Sequence, residues 1–141
     1  MSLPRYLVDT SAFGRLVRDE AIAAPWRRDL SAGHLAVCAI TELEILFSAR
    51  SKADRDAYLH LMRATFDWVV MPDRVFDRAA EVQAVLTDQG THRSAGPVDL
   101  LVAAAAELHG LVLLHYDRDF LQVARATGQP LRWVAEPGTI G

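Results

Sequence analysis

Short apolar runs alternate with longer amphipathic stretches along the whole chain. Tyr6-Leu7-Val8, Leu35 to Ala39, Trp68 to Met71, Leu111 to Leu114 and Leu131 to Val134 read as strands apolar on both faces, the pattern of a buried parallel sheet. The stretches between them carry a helical period. One helix follows the first strand to about Arg18, with Thr10 or Ser11 as its N-cap. A second lies near Ile22 to Leu30, and Gly33 breaks the chain after it. Thr41 and Glu44, three apart, predict a capping box at the start of a helix running to about Ala49. Ala53 to Thr65 follows, with Ala57, Leu61 and Ala64 on one side beside Tyr58 and Met62. Asp73 is expected to cap a helix whose inner face holds Val75, Ala79, Val82 and Leu86. Gly90 to Gly96 is the most loop-like segment, and Pro97 suits the first position of a helix reaching His109. That helix is apolar on nearly every side, as a buried helix is. Phe120 to Ala126 is the last. Strands alternating with helices predict an α/β sandwich around a parallel sheet.

Composition narrows the picture. The chain has 141 residues, 51% of them hydrophobic, which suits one domain over residues 1–141 with one core. No linker-like tract or repeat divides it. No apolar run reaches the roughly 20 residues of a membrane helix, and Met1 to Tyr6 lacks the pattern of a secretory signal. The lone cysteine, Cys38, sits among apolar neighbours and reads as a buried thiol. A cytoplasmic protein is expected. The net charge of −3 is not the basic footprint of a protein held on nucleic acid by bulk electrostatics. Any attraction for RNA must come from local arginines or a bound metal, because Lys52 is the only lysine.

Four acids stand out by position. Asp9, Glu42 and Asp117 each follow the carboxyl end of a predicted strand, and Asp99 lies in the first turn of the buried helix. Open parallel sheets form their sites at that end. Each acid also has a purely structural reading: Asp9 as a cap, Glu42 and Asp99 as first-turn acids, Asp117 as a turn residue. It is the set that points to chemistry. Two like charges about 4 Å apart cost roughly 4 kcal/mol at an effective dielectric near 20, so such a cluster takes up protons or binds a cation. All-oxygen donors favour Mg²⁺ or Mn²⁺ over zinc, and phosphodiester hydrolysis suits such a centre. Asp119 is better explained as an N-cap than as a fifth ligand. His115 is best read as packed at a strand end. His34, His60 and His109 have no zinc spacing with Cys38. Trp26, Trp68 and Trp133 suit a core or interface better than a base-stacking role.

Rival chemistries fail on specific residues. A phosphoacceptor receiver domain needs a lysine late in the chain, and Lys52 lies in the first half. A haloacid-dehalogenase-type phosphatase needs a second Asp where Ser11 stands. Neither phosphate-cradling glycine motif is present.

Four segments carry a resemblance. Leu7-Val8-Asp9-Thr10-Ser11, Thr41-Glu42-Leu43-Glu44, Pro97-Val98-Asp99-Leu100-Leu101-Val102-Ala103-Ala104 and His115-Tyr116-Asp117-Arg118-Asp119-Phe120 resemble the signature segments of PIN-domain proteins. In order and spacing the chain is similar to VapC-type toxins of bacterial toxin–antitoxin pairs. The resemblance implies a three-layer α/β/α sandwich with a central parallel sheet of four to five strands. It implies an endoribonuclease dependent on Mg²⁺ or Mn²⁺, hydrolysing RNA with a metal-activated water. By motif position Asp9, Glu42, Asp99 and Asp117 would hold the metal, with Thr10, Ser11 and Asp119 in auxiliary roles. A homodimer and a neutralising VapB-type antitoxin are also implied. His115 departs from the pattern, which often has threonine there. His92 and Arg93, on the Gly90–Gly96 loop, are candidate phosphate contacts, ahead of Arg15, Arg18, Arg50 and Lys52. The alternative is a catalytically weak PIN-like module that binds RNA or scaffolds other proteins.

Overall fold

The computed structural model describes residues 3–138. Five strands form one parallel sheet in the order β3-β2-β1-β4-β5: β1 Tyr6–Val8, β2 Leu35–Val37, β3 Asp67–Trp68, β4 Val112–His115 and β5 Leu131–Trp133. Tyr6 aligns with Leu35 on one side and Val112 on the other, and His115 with Trp133. Successive strand residues face opposite sides, and the two cores divide accordingly. Leu7, Ala36 and Leu113 pack with α6 (Val75–Asp88), α7 (Pro97–His109) and α8 (Phe120–Thr127). Val8, Leu35, Val37 and Leu114 pack with α1 (Thr10–Arg18), α4 (Ala39–Phe47) and α5 (Lys52–Thr65). The result is the expected three-layer α/β/α sandwich. Every residue of α7 from Val102 to Ala106 is buried, and Gly110 ends that helix at φ 71°, a left-handed conformation that glycine adopts without a Cβ penalty.

Several boundaries differ from the sequence pattern for identifiable reasons. The helix expected over Ile22 to Leu30 is three pieces: α2 (Glu20–Ala23), a 3₁₀ turn (Ala24–Trp26) and α3 (Arg27–Ser31). Pro25 lacks the amide hydrogen that a continuous helix would use, and Asp19 starts α2 early by accepting from Ala21 N–H at 3.0 Å. Strand β2 stops at Val37 rather than Ala39. Extended Cys38 is the N-cap of α4, and Glu42 N–H donates to Cys38 O at 3.0 Å. Thr41 is therefore a buried residue inside the helix, and the Thr41–Glu44 capping box does not form. Asp73 does not cap α6: Arg74 holds the N-cap position without a side-chain bond. Strand β3 begins one residue early and is cut short, with only Val69 N–H continuing the ladder, to Val37 O. Among the described residues, no helix is long and apolar enough to cross a membrane.

Candidate active site

The acids gather where β1, β4 and the N-termini of α1 and α7 meet. Asp9 leaves β1 with its N–H still in the sheet, donating to Leu114 O at 2.9 Å. It is itself the N-cap of α1, in place of Thr10 or Ser11. Its Oδ2 accepts from Ser11 N–H at 3.0 Å and from the Ser11 hydroxyl at 2.6 Å. Its Oδ1 is buried with no hydrogen-bond partner. A buried polar atom in that condition costs free energy unless something else satisfies it. The Ser11 hydroxyl also accepts Tyr116 N–H at 2.9 Å, so one side chain ties β1 to the segment carrying Asp117.

Asp99 sits at the third position of α7 and accepts Gly96 N–H at 3.3 Å. Asp117 follows β4 and accepts Asp119 N–H at 2.9 Å on Oδ1. Asp119 does occupy the N-cap position of α8, but its side chain caps nothing; the exposed carboxylate stands beside Asp117.

The fourth carboxylate is Glu44, not Glu42. Thr41 and Ile45 form the buried stripe of α4, and Glu42 and Glu44 flank it on opposite sides. Glu42 turns towards α5, where Arg63 grips both carboxylate oxygens at 2.7 and 3.1 Å. Glu44 turns towards α1 and accepts the Thr10 hydroxyl. The charge of Glu44, and not that of Glu42, acts on Asp9 and Asp99. The capping-box pattern concealed this residue: it supplied a structural duty for Glu44 that the helix start at Ala39 makes impossible.

The fields of these groups are mutual. Burial raises the Asp9 carboxyl above its ordinary range; the Ser11 bonds oppose that, and Glu44 and Asp117 add to it. Asp99 is pushed up to about 6, first by burial, then by Asp9, with Asp117 and Glu44 contributing. An all-carboxylate set, partly buried and self-repelling, with one oxygen unsatisfied, fits a hard divalent cation. Among the described residues no three His, Cys, Asp or Glu side chains converge tightly enough to make a finished cage. Donor chemistry and mutual repulsion mark the site, not preformed ligand geometry.

His115 is fully buried between Phe120 and Trp133, with ring centroids at 5.3 and 4.6 Å. Its Nδ1 accepts Asp117 N–H at 3.1 Å. The neutral ring thus carries its proton on Nε2, which is buried without a partner. Burial pushes its pKa down to about 4, against the pull of Asp117. It is the packed residue that its strand-end position predicts, and it also holds the Asp117 backbone. Arg15 lies over the Tyr116 ring at 4.5 Å and donates to Ser11 O at 3.0 Å. His92 and Arg93 are exposed on the turn leading into α7.

Comparison with known proteins gives the family. A PIN-domain model matches residues 6–126. The chain belongs to the PIN-domain family. It is 44% identical over 135 residues to Ribonuclease VapC21 of Mycobacterium tuberculosis, covering 96% of this chain and 97% of the relative. It is 39% identical over 137 residues to Ribonuclease VapC18 of the same organism, covering 96% and 98%. These relatives place it within the VapC branch of the family. The fold is also that of a chain in the DNA-bound VapBC crystal structure from Salmonella typhimurium, with a TM-score of 0.74 at 17% identity, covering 94% of this chain and all of that one. A chain of the Rickettsia felis VapBC2 structure, bound to a promoter DNA fragment, gives 0.76 at 14%, covering 91% and 97%.

Proposed function

We propose that the chain is the toxin endoribonuclease of a VapBC-type pair, dependent on Mg²⁺ or Mn²⁺. One observation carries the reading: Asp9 is held by one oxygen while the other is buried and unsatisfied, beside Asp99, Asp117 and Glu44. Asp9, Asp99 and Asp117 would hold the cation, with Glu44 as the fourth acid in place of Glu42. When bound, the cation supplies Lewis acidity towards an RNA phosphodiester and relieves the repulsion among the acids. The chain's own residues do the positioning. Ser11 fixes the Asp9 carboxylate and the Tyr116 backbone together, Thr10 orients Glu44, and His115 fixes the Asp117 amide. His92 and Arg93 are proposed phosphate contacts. An intact set of acids disfavours a pure binding module, because unneutralised carboxylates would repel the RNA backbone.

The proposed partner is a VapB-type antitoxin docking on the early helices. There α4 exposes Leu43 (65%) and Phe47 (91%), one helical turn apart. A homodimer is likewise proposed.

The deciding experiment incubates the free protein with total cellular RNA and Mg²⁺ or Mn²⁺, with and without chelator, beside Asp99→Asn. Cleavage that needs metal and disappears in the variant is expected. Cleavage that survives both treatments would overturn the metal-nuclease reading, and an absence of cleavage under every condition would favour the binding module.

A further inference from the structure

Arg15 is held unlike any other arginine near the acids. It lies on α1, one turn or about 6 Å beyond Ser11 along the helix axis. Side chains on a helix lean back towards its N-terminus, and that of half-buried Arg15 does so: Nη1 donates to Ser11 O at 3.0 Å. Its Cζ lies 4.5 Å from the centre of the Tyr116 ring, over the ring face. Its Nε is buried without a partner. Its Nη2 makes no hydrogen bond among the described residues and is not buried. The guanidinium is therefore fixed on three sides, with one edge open to solvent.

Its charge is not spent on a carboxylate. Arg63 is taken by Glu42, and Arg78 by Glu81 and Glu107. Arg15 forms no ion pair among the described residues. A ring face and a neutral carbonyl hold it, and an anion reaching Nη2 would meet a donor whose freedom is already lost. A guanidinium fork matches phosphate oxygens better than a point charge does.

The position of Arg15 says which anion. Both of its contacts belong to residues that place the acids: Ser11 holds Asp9, and Tyr116 precedes Asp117 and donates its N–H to the Ser11 hydroxyl. Arg15 thus stands beside the acids and not among them. Helix α1 packs on one face of the sheet and α7 on the other, so Arg15 and the turn carrying His92 and Arg93 flank the acids from opposite layers. Four carboxylates outweigh one divalent cation, and the excess would repel the RNA on either side of the reacting phosphate. We propose that Arg15 binds the phosphate next to the scissile one, on the α1 side of the acids, and so sets how the RNA strand lies across the end of the sheet. The proposal rests on the ribonuclease reading above.

The test measures anisotropy of a fluorescein-labelled, mixed-sequence single-stranded RNA dodecamer with the full chain in chelator across a salt series, and the steady-state kinetics of RNA cleavage with Mn²⁺. One phosphate contact contributes about 0.7 to the slope of log affinity against log salt for a single strand. Arg15→Gln should lower the slope by about that amount, which weakens binding about fivefold at about 0.1 M salt. KM should rise by a similar factor and kcat should change less. Arg15→Lys keeps the charge and should restore most of the slope. Arg55→Gln, at an exposed position on α5, should match wild type in slope and KM; a loss there equal to that of Arg15→Gln would make the effect one of net charge and overturn the proposal. An Arg15 that only props Ser11 and Tyr116 would lower the melting temperature and kcat in Arg15→Gln with the salt slope unchanged. That result, in a wild-type background that cleaves RNA, overturns the phosphate contact and leaves the ribonuclease reading standing. Weakened antitoxin binding with an unchanged salt slope assigns the cation to an acidic protein partner and overturns the proposal too. A wild-type chain that cleaves no RNA overturns the ribonuclease reading and the proposal with it. Should Arg15→Gln not fold, Arg15→Met, which keeps an apolar stem beside Tyr116, is judged by the same slope.

Discussion

Replacing Asp99 by Asn should stabilise the protein in the absence of metal, and the gain should depend on pH. The folded chain lifts the Asp99 carboxyl from 3.8 to about 6. At about 1.4 kcal/mol per pH unit, that lift means the charged form is disfavoured in the fold by about 3 kcal/mol, or about 2–3 kcal/mol once screening of a half-buried carboxylate is allowed for. Because the folded pKa is raised, the unfolded chain gives up its proton first. The cost is absent below pH 3.8, grows through the window to about 6, and is complete above it. Asparagine has the same shape, and its carbonyl oxygen can still accept Gly96 N–H. At pH 7.5 in chelator the variant should melt roughly 6–12 °C above wild type, with the difference closing as pH falls towards 4.

His115 sharpens the test, because its slope has the opposite sign. Its folded pKa is pushed down to about 4 from 6.5, so the unfolded chain binds the proton more readily and stability rises with pH across that interval. In wild type the Asp99 and His115 slopes oppose each other over nearly the same window; Asp99→Asn removes the first of them, and the melting profile should climb more steeply between pH 4 and 6.5. The assay is thermal unfolding followed by circular dichroism across that range, with a second series in Mg²⁺. Metal should raise the wild-type midpoint and move the variant little. A variant less stable than wild type at pH 7.5 in chelator, or a difference that ignores pH, would refute the claim that burial and the neighbouring acids disfavour a charged Asp99 in the fold.

Further substitutions at Glu44, Glu42, Ser11 and His115 separate neighbouring roles. Glu44→Gln should weaken Mn²⁺ binding and slow RNA cleavage by about tenfold or more, the range seen when groups that orient a metal site are lost, whereas Glu42→Gln should leave both within severalfold of wild type; calorimetric titration and cleavage rates decide, and the reverse order would return Glu42 to the site. Ser11→Ala takes a hydroxyl from Asp9 and an acceptor from Tyr116 N–H, a loss of about 1–3 kcal/mol in denaturant melts, and Ser11→Thr should restore most of it. His115→Phe keeps a ring between Phe120 and Trp133 but removes the acceptor for Asp117 N–H; it should reduce Mn²⁺ affinity with little change in melting temperature, and His115→Asn, which keeps a side-chain acceptor, should bind the metal better than the Phe variant.

Most of the architecture was legible because it rests on periodicity. The apolar runs at Tyr6–Val8 and Leu35–Val37 and the all-round apolar α7 could have few other destinations. What was not legible depended on backbone detail that residue types specify weakly. Pro25 breaks the second helical region, but an apolar period runs straight across it. A Thr-x-x-Glu spacing matches a capping box wherever it occurs; only the extended conformation of Cys38 shows that α4 begins earlier. The choice between Glu42 and Glu44 was closed to sequence for a related reason. Both flank the same buried stripe, and which flank meets the acids depends on which neighbours lie on each side. Arg63, on a different helix, takes one, and Thr10, on another, takes the other.

For the acids themselves, capping and metal binding are not alternatives. A carboxylate just past a strand or in the first turn of a helix meets unpaired backbone N–H groups, so its sequence position always permits a structural explanation. Here that explanation is correct and incomplete. Asp9, Asp99 and Asp117 each accept a backbone N–H, from Ser11, Gly96 and Asp119 respectively. Those bonds orient each carboxylate at the carboxyl end of β1 or β4 or at the start of α7. A carboxylate has a second oxygen, and at Asp9 that oxygen is buried with nothing to accept from. A cap alone would be served as well by serine or asparagine, without the charge that Asp9, Asp117 and Glu44 impose on Asp99. The fold uses one oxygen to fix the geometry, and the charge that the cap does not need is what a divalent cation would meet.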